Sequence, residues 1–232
     1  SDNATAYFAS AGFLNSANNL STIKSNLSTA LEAVSSFDNS IADAESIINQ
    51  LQGLTTQALG TTDTGTRAGL ASQFNALATQ LDTMINDATF NGTNLLNSTS
   101  ASLVVYFNAT NTTSLTITGV NITSAGLMST AIASNKWTNT ADIQFNQSFL
   151  LTALSTLTTD AANFGGNATL LQTRQDFTSN LITSLQNASS DLITADSNTE
   201  GANMQALQAQ DSLGIVSLGV SGTLEQAILK IL

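Results

Sequence analysis

The sequence contains no cysteine, no histidine and no proline, and each absence narrows what the chain can do. Without cysteine and histidine there can be no disulfide, no thiolate nucleophile and none of the usual ligands of a zinc site. The commonest general acid–base group of enzymes is missing as well. Without proline, no helix is forced to kink or to end. We therefore predict no enzyme activity, no catalytic residues, no cofactor and no metal.

Charged residues are also scarce. They make up 9% of the 232 residues, and 16 acidic against 5 basic side chains give a net charge of -11. Phosphate backbones repel so acidic a chain, so nucleic acid is excluded as a partner. No apolar run is long enough to span a bilayer, and we predict no membrane insertion. The absence of cysteine fits an exported protein.

The first sixty residues instead carry a heptad of apolar side chains. Between Leu20 and Leu51 these side chains recur at alternating spacings of three and four, which is typical of a long helix packed against other helices. The pattern predicts a helix from about 13 to 58. Its predicted core residues are Leu20, Ile23, Leu27, Val34, Phe37, Ile41, Ile48 and Leu51.

Beyond this helix the spacing changes twice. A second helical stripe ends at an Asn-Gly turn dipeptide at 91–92. Residues 102–123 then alternate apolar and polar side chains about a turn near 108–113, which predicts a β-hairpin. Helical spacing returns at Ile143, and the polar stretch 195–201 predicts a joint before a terminal helix.

Together these elements predict a mainly α fold. We expect an elongated rod of long antiparallel, coiled-coil-like helices with a small β-hairpin insert and a C-terminal helix. The helical rod domain is assigned to 1–90 and 143–198, and the β-hairpin with its irregular surroundings to 91–142. The C-terminal helical segment is assigned to 199–232.

Three segments carry motifs that occur together in one protein family. DNATAYFAS at 2–10 is similar to D-N-P-T-x-Y/F-F, with Ala4 where proline usually stands. Residues 67–96 resemble the pattern R-x-x-x-x-x-Q-F-N followed by F-N-G-x-N-L-L. Residues 173–218 include ADSNTEGAN, which is similar to A-D-x-N-x-E-x-A-N. On these motifs the chain resembles the bacterial flagellins, and among them the compact alphaproteobacterial kind.

The resemblance implies a structural subunit that polymerises into the flagellar filament and serves motility. Its partners are then other copies of itself in a helical homopolymer, with an export chaperone and a filament cap as further partners. The expected location is secreted, in the extracellular flagellum. Family members begin with a further N-terminal helix, which we expect this chain to lack. The R-x-R-E-L-A-x-Q stretch that an innate receptor contacts in many flagellins is not matched at 50–57, so receptor recognition is not carried over.

The resemblance also gives a role to the C-terminal segment. No side chain between Ser212 and Leu224 is charged, although apolar residues recur there at helical spacing. A charge buried unpaired between chains would cost several kcal/mol, so a charge-free helix suits a surface that other copies cover. The predicted subunit-interface residues are Leu213, Val216, Val220, Leu224, Ile228 and Ile231.

Two other interpretations stay open. A hook–filament junction protein of the same family would share the terminal segments, although the segment FNGTNLL favours the filament subunit. A cell-surface adhesin or glycan-binding protein would use the hairpin and its surface rich in Asn and Thr. Triplets of the form Asn-x-Ser/Thr are frequent, as chance produces in this composition, and they do not decide glycosylation.

Overall fold

The computed structural model describes residues 4–128 and 137–229, with the backbone alone at 196 and at 224–229. Within these ranges the fold is mainly α, with long helices and one two-stranded antiparallel sheet, as predicted. The elements in chain order are α1 Ala4–Leu59, α2 Thr64–Asp87, β1 Ser102–Tyr106, β2 Ser114–Thr118, α3 Ser124–Met128 and α4 Thr140–Leu229.

Two helix boundaries differ from the sequence prediction. Helix α1 begins at Ala4, well before the expected 13, because the first residues include several alanines and no proline. The predicted joint at 195–201 is wrong, since α4 continues through it to Leu229. That stretch is polar but holds no proline, and its single glycine, Gly201, costs a helix only about 1 kcal/mol relative to alanine. The predicted terminal helix is therefore the end of α4.

The chain divides into two compact units, and both long helices contribute to each. Unit 1 comprises Ser1–Asn19 and Asn180–Leu232, and unit 2 comprises Leu20–Ser179. Unit 2 contains the sheet, α2 and α3, together with the larger part of α1.

In unit 2, α1 and α4 run antiparallel, because later positions of α1 meet earlier positions of α4. Lys24 Nζ donates a hydrogen bond to Ser179 Oγ at 3.0 Å. Phe37 packs edge-to-face on Phe164, with ring centroids 6.3 Å apart. The predicted core residues buried in the hydrophobic cluster of this unit are Ile23, Leu27, Val34, Phe37, Ile41, Ile48 and Leu51, whereas Leu20 is half-buried against it.

The loop between α1 and α2 is held by a buried arginine. Arg67 Nε donates to the carbonyl oxygens of Ala58 at 3.2 Å and Thr61 at 2.8 Å. Its Nη2 donates to Thr140 Oγ1 at 3.2 Å. The last carbonyl groups of a helix have no intrahelical partner, and the Arg67 side chain supplies one at the end of α1. The same side chain connects the end of α1 to the start of α4.

Helix α2 begins at the N-cap residue Asp63. Its Oδ2 accepts hydrogen bonds from the backbone N–H and the hydroxyl of Thr66, both at 2.7 Å. These two bonds favour the ionised carboxylate and hold the pKa of Asp63 below its ordinary value. The sequence Asp-Thr-Gly-Thr at 63–66 therefore starts α2.

The predicted β-hairpin is confirmed, with its turn at 108–113. Strands β1 and β2 pair in the register Leu103 opposite Ile117, and Asn108 Oδ1 closes the turn by accepting from the backbone N–H of Thr112 at 2.9 Å. The Arg174 guanidinium of α4 lies 4.7 Å from the centroid of the Phe107 ring, a cation–π contact that attaches the end of the hairpin to the helix.

A glycine after the hairpin is required by a close approach of the backbone. A Cβ at Gly119 would lie 2.5 Å from the Ser98 carbonyl oxygen and 3.1 Å from that of Ala101. We expect Gly119→Ala to lower the unfolding free energy by about 1–3 kcal/mol, as overpacking does. Urea unfolding followed by the fluorescence of the buried Trp137 measures the change.

Gly69 provides the matched control, because it lies in α2 with open space around its would-be Cβ. Gly69→Ala should stabilise the protein by about 0.5–1 kcal/mol. If the two substitutions change stability equally, the close approach at Gly119 does not constrain the fold.

Asp160 is a carboxyl group that α4 buries in unit 2, where 9% of the residue stays exposed. Burial raises the pKa of Asp160 above its ordinary value, since desolvation penalises the charged form. The folded state therefore binds this proton more tightly than the unfolded state does. The resulting stabilisation is complete below the unfolded pKa and is lost as pH rises through the folded pKa.

We expect Asp160→Asn to raise the unfolding free energy at neutral pH, because it removes the buried charge. The gain should shrink as the pH falls and Asp160 of the natural chain becomes protonated. Urea unfolding at neutral and at acidic pH compares the two proteins. Asp176→Asn, at an exposed position of the same helix, should change stability little at either pH, and an equal gain from both substitutions would contradict the effect of burial.

Candidate subunit interface

Unit 1 has little buried interior. Its buried side chains in the described ranges are Ser10 and Ala17 of α1 and Ile182 and Ser189 of α4. The hydroxyl oxygens of Ser10 and Ser189 are hydrogen-bonded at 2.7 Å, and Ser189 Oγ also approaches the Ser10 carbonyl oxygen at 3.3 Å. Small side chains let two helices come close, but they bury little apolar surface and contribute correspondingly little to stability.

The last described turns of α4 pack on no other described part of the chain. Every residue from 201 to 221 is exposed, even where the side chain is large and apolar. Three predicted interface residues lie here, and their exposed fractions are 69% for Leu213, 62% for Val216 and 54% for Val220. The other three predicted residues lie outside the described set. For Leu224 and Ile228 only the backbone is described, and Ile231 lies entirely outside it.

A second apolar stripe, which the sequence analysis missed, lies on the opposite side of this segment. Residues two apart on a helix are separated by about 200°, so Leu213 and Ile215 point in nearly opposite directions. Asp211 interrupts the second stripe, and this charge hides its spacing of three and four in the sequence. The exposed residues of the second stripe are Met204, Leu207, Ile215 and Leu218.

The residues between the two stripes are small. Gly214, Ser217, Gly219 and Ser221 separate the apolar side chains, and nothing lies within 4 Å of a Cβ built at either glycine. Small residues allow a neighbouring helix to approach the backbone closely. A helix that is apolar on both sides is normally buried. Burying both stripes of this segment therefore requires neighbouring surfaces on two sides of the helix.

The start of α1 adds an aromatic pair to the exposed surface of unit 1. Tyr7 is 68% exposed and Phe8 is 71% exposed, and their rings stack edge-to-face with centroids 5.8 Å apart. Exposed aromatic side chains are typical of interface centres, because they bury much area for few ordered torsions. In the sequence both residues lie within the motif at 2–10, which gives no sign of their exposure.

Neither a metal site nor a membrane span is evident in the described residues. No group of three or more aspartates and glutamates there is placed to hold a metal ion. None of the described helices combines the length and apolar character needed to cross a bilayer. The prominent chemical feature of unit 1 is therefore its uncovered apolar surface.

Sequence comparison finds relatives that align with most of the chain. Flagellin FljM of Caulobacter vibrioides is 28% identical over 207 residues, which cover 85% of this chain and 72% of that protein. Flagellin FljO of the same organism is 27% identical over 225 residues, covering 93% and 78%. A flagellin of Brucella melitensis is 24% identical over 216 residues, covering 88% and 72%. No family model matches the chain.

Solved structures share the fold at lower sequence identity. A flagellin from Bacillus cereus matches with a TM-score of 0.57 and 19% identity, over 66% of this chain and 88% of that one. A putative flagellar hook-associated protein from Vibrio parahaemolyticus matches with a TM-score of 0.66 and 11% identity, over 82% and 98%. The chain is therefore similar to flagellins along most of its length, and it shares the fold of a flagellin structure.

Proposed function

We propose that the chain is a structural subunit that polymerises into the extracellular flagellar filament. Its relatives are flagellins, and the end of α4 exposes apolar side chains on two sides. The two-sided exposure is the observation that carries the proposal, because it calls for several neighbouring copies. The role is structural rather than catalytic.

An open polymer covers the end of α4 better than a closed dimer does. In a symmetric dimer the same patch of both copies meets once, so one side of an exposed helix stays in water. A contact between different patches repeats from copy to copy, and it produces a helical filament when its rotation does not close a ring. The stripe containing Leu213 and the stripe containing Leu218 then bind different neighbours.

The distribution of charge along the chain also favours assembly through the end of α4. The protein carries a net charge of -11, which keeps dilute copies apart, whereas positions 212–224 carry no charge at all. Copies therefore meet with least repulsion along this segment. The assignment of 199–232 to assembly, of 1–90 with 143–198 to a rod and of 91–142 to an insert belongs to this proposal.

Two further partners follow from the exposed surface. Before assembly the apolar end of α4 would promote aggregation, so a chaperone that covers it is an expected partner during export. A cap at the growing end of the filament would hold arriving subunits while both stripes find their neighbours. Both proteins are proposed as transient partners.

A hook–filament junction protein is the second candidate, because the Vibrio hook-associated protein has a similar fold. That likeness concerns the fold alone, whereas the relatives found by sequence are flagellins. Electron microscopy of the full-length protein after salting-out separates the candidates. Long tubes of regular diameter are expected for a filament subunit, and short aggregates without tubes would favour the junction protein.

A further inference from the structure

Asn91 and Gly92 form an exposed turn after α2, and they are the one Asn-Gly pair in the chain. Both residues have positive φ, 50° for Asn91 and 79° for Gly92. The turn is closed by two backbone hydrogen bonds, from Phe90 N to Thr93 O at 2.8 Å and from Thr93 N to Phe90 O at 3.0 Å. It is a two-residue turn of the kind that Asn-Gly favours.

The surroundings of this turn leave the asparagine side chain open to attack by the backbone. The backbone nitrogen of Gly92 follows directly after Asn91, and glycine has no Cβ to shield that nitrogen. Nothing lies within 4 Å of the point where a Cβ of Gly92 would stand. The nearby Asn94, in contrast, is tied down by its amide, which donates to the Ile85 carbonyl oxygen at 2.7 Å.

We propose that Asn91 is a site of spontaneous deamidation and isoaspartate formation. The Gly92 backbone nitrogen forms a bond to Asn91 Cγ and gives up its proton, and the bond from Cγ to Nδ2 breaks to release ammonia. The product is a cyclic succinimide. Water then opens the ring at either carbonyl, which yields an ordinary aspartyl residue or an isoaspartyl residue whose main chain runs through the former side chain.

Opening of the turn limits the rate of this reaction. Its two hydrogen bonds hold Asn91 in the left-handed region, so the ring must close from a locally opened turn. An exposed turn held by so few bonds opens at small free-energy cost. We therefore expect reaction in the folded protein that is slower than in the urea-unfolded chain, yet faster than at other asparagines of the folded chain.

Isoaspartate at position 91 would alter the chain next to a buried segment. The added backbone atom changes the span between Phe90 and Thr93, and the turn cannot keep both hydrogen bonds at their present length. Leu95 and Leu96 follow closely and are fully buried, and their carbonyl oxygens accept from the chain after the hairpin. Modification also adds a negative charge to a protein that already carries -11.

Asn111 supplies an internal control within the same protein. It is exposed and has a φ of 54°, but the next residue is Thr112, whose branched Cβ hinders attack by its nitrogen. The full-length protein is aged in mildly alkaline buffer, labelled with a protein isoaspartyl methyltransferase and mapped by fragmentation mass spectrometry. Isoaspartate should form at position 91 at least about tenfold faster than at 111.

Asn91→Gln is the matched variant, because it keeps the amide but requires a larger, more slowly formed ring. It should lose the label at position 91, and Trp137 fluorescence shows whether it is folded. If the variant does not fold, the rates at Asn91 and Asn111 of the natural chain still test the proposal. Equal rates at 91 and 111, or no isoaspartate at 91 while the urea-unfolded chain forms it, would overturn the proposal.

Discussion

Replacing Leu218 with aspartate is expected to abolish polymerisation of the full-length protein without changing the stability of unit 2. Leu218 is 78% exposed, so its removal costs the single chain little packing. In a polymer the new carboxylate would be buried between copies with no cation opposite it, at a cost of several kcal/mol. The penalty recurs at every subunit. Sedimentation and electron microscopy measure assembly, and urea unfolding measures stability.

Leu213→Asp tests the opposite stripe in the same way. We expect it to abolish polymerisation equally, because both sides of the α4 end are covered in the filament. Thr173→Asp adds the same charge at an exposed polar position of α4 in unit 2 and serves as the control, with assembly retained. If either Leu218→Asp or Leu213→Asp assembles like the natural protein, the proposed two-sided interface is wrong.

Phe37→Ala should lower the unfolding free energy by about 3–5 kcal/mol, the usual cost of emptying a buried aromatic site. Phe37 is 2% exposed in α1 and packs edge-to-face on Phe164 of α4, so the substitution removes a contact between the two long helices. Urea unfolding followed by Trp137 fluorescence measures the loss.

Phe177→Ala removes the same ring from a position of α4 that is 60% exposed. It should change stability by no more than about 0.5 kcal/mol, as surface substitutions do. A similar small effect for Phe37→Ala would mean that the heptad of α1 does not form a core.

Short-range patterns made much of the fold predictable. The spacing of apolar residues around Phe37 and Ile41 indicated the buried face of α1, because helical periodicity is read directly from neighbouring residues. The polar turn beginning at Asn108 between two alternating segments indicated the hairpin for the same reason. Neither prediction required knowledge of which elements meet in space.

The continuous α4 and the second apolar stripe depend on information that local patterns do not contain. Gly165, Gly166 and Gly201 weaken a helix by about 1 kcal/mol each, and only the sum over a long helix decides whether it continues. Asp211 interrupts the apolar stripe that contains Leu207 and Ile215, so the stripe is hard to recognise in the sequence. That both sides of this helix are exposed follows only from the three-dimensional structure, in which these side chains lie uncovered.

Buried polar groups were unpredictable for a different reason. Nothing near Arg67 in the sequence shows that its guanidinium reaches Thr140, and nothing near Asp160 shows that it lies inside the unit. Such placements follow from long-range packing. Asn146 belongs to the same group, since its Nδ2 is buried without a hydrogen-bond partner among the described residues.

Amide hydrogen exchange over residues 201–223, compared between dilute monomer and assembled polymer, tests the proposed interface most directly. In the monomer the side chains at 201–221 of α4 are exposed, so the amides of this part should exchange rapidly through local fraying. In the polymer the same amides should become strongly protected, while protection of the buried α1 residues near Ile41 stays high in both states. Strong protection of 201–223 in the monomer, or no gain on assembly, would contradict an interface formed by the end of α4.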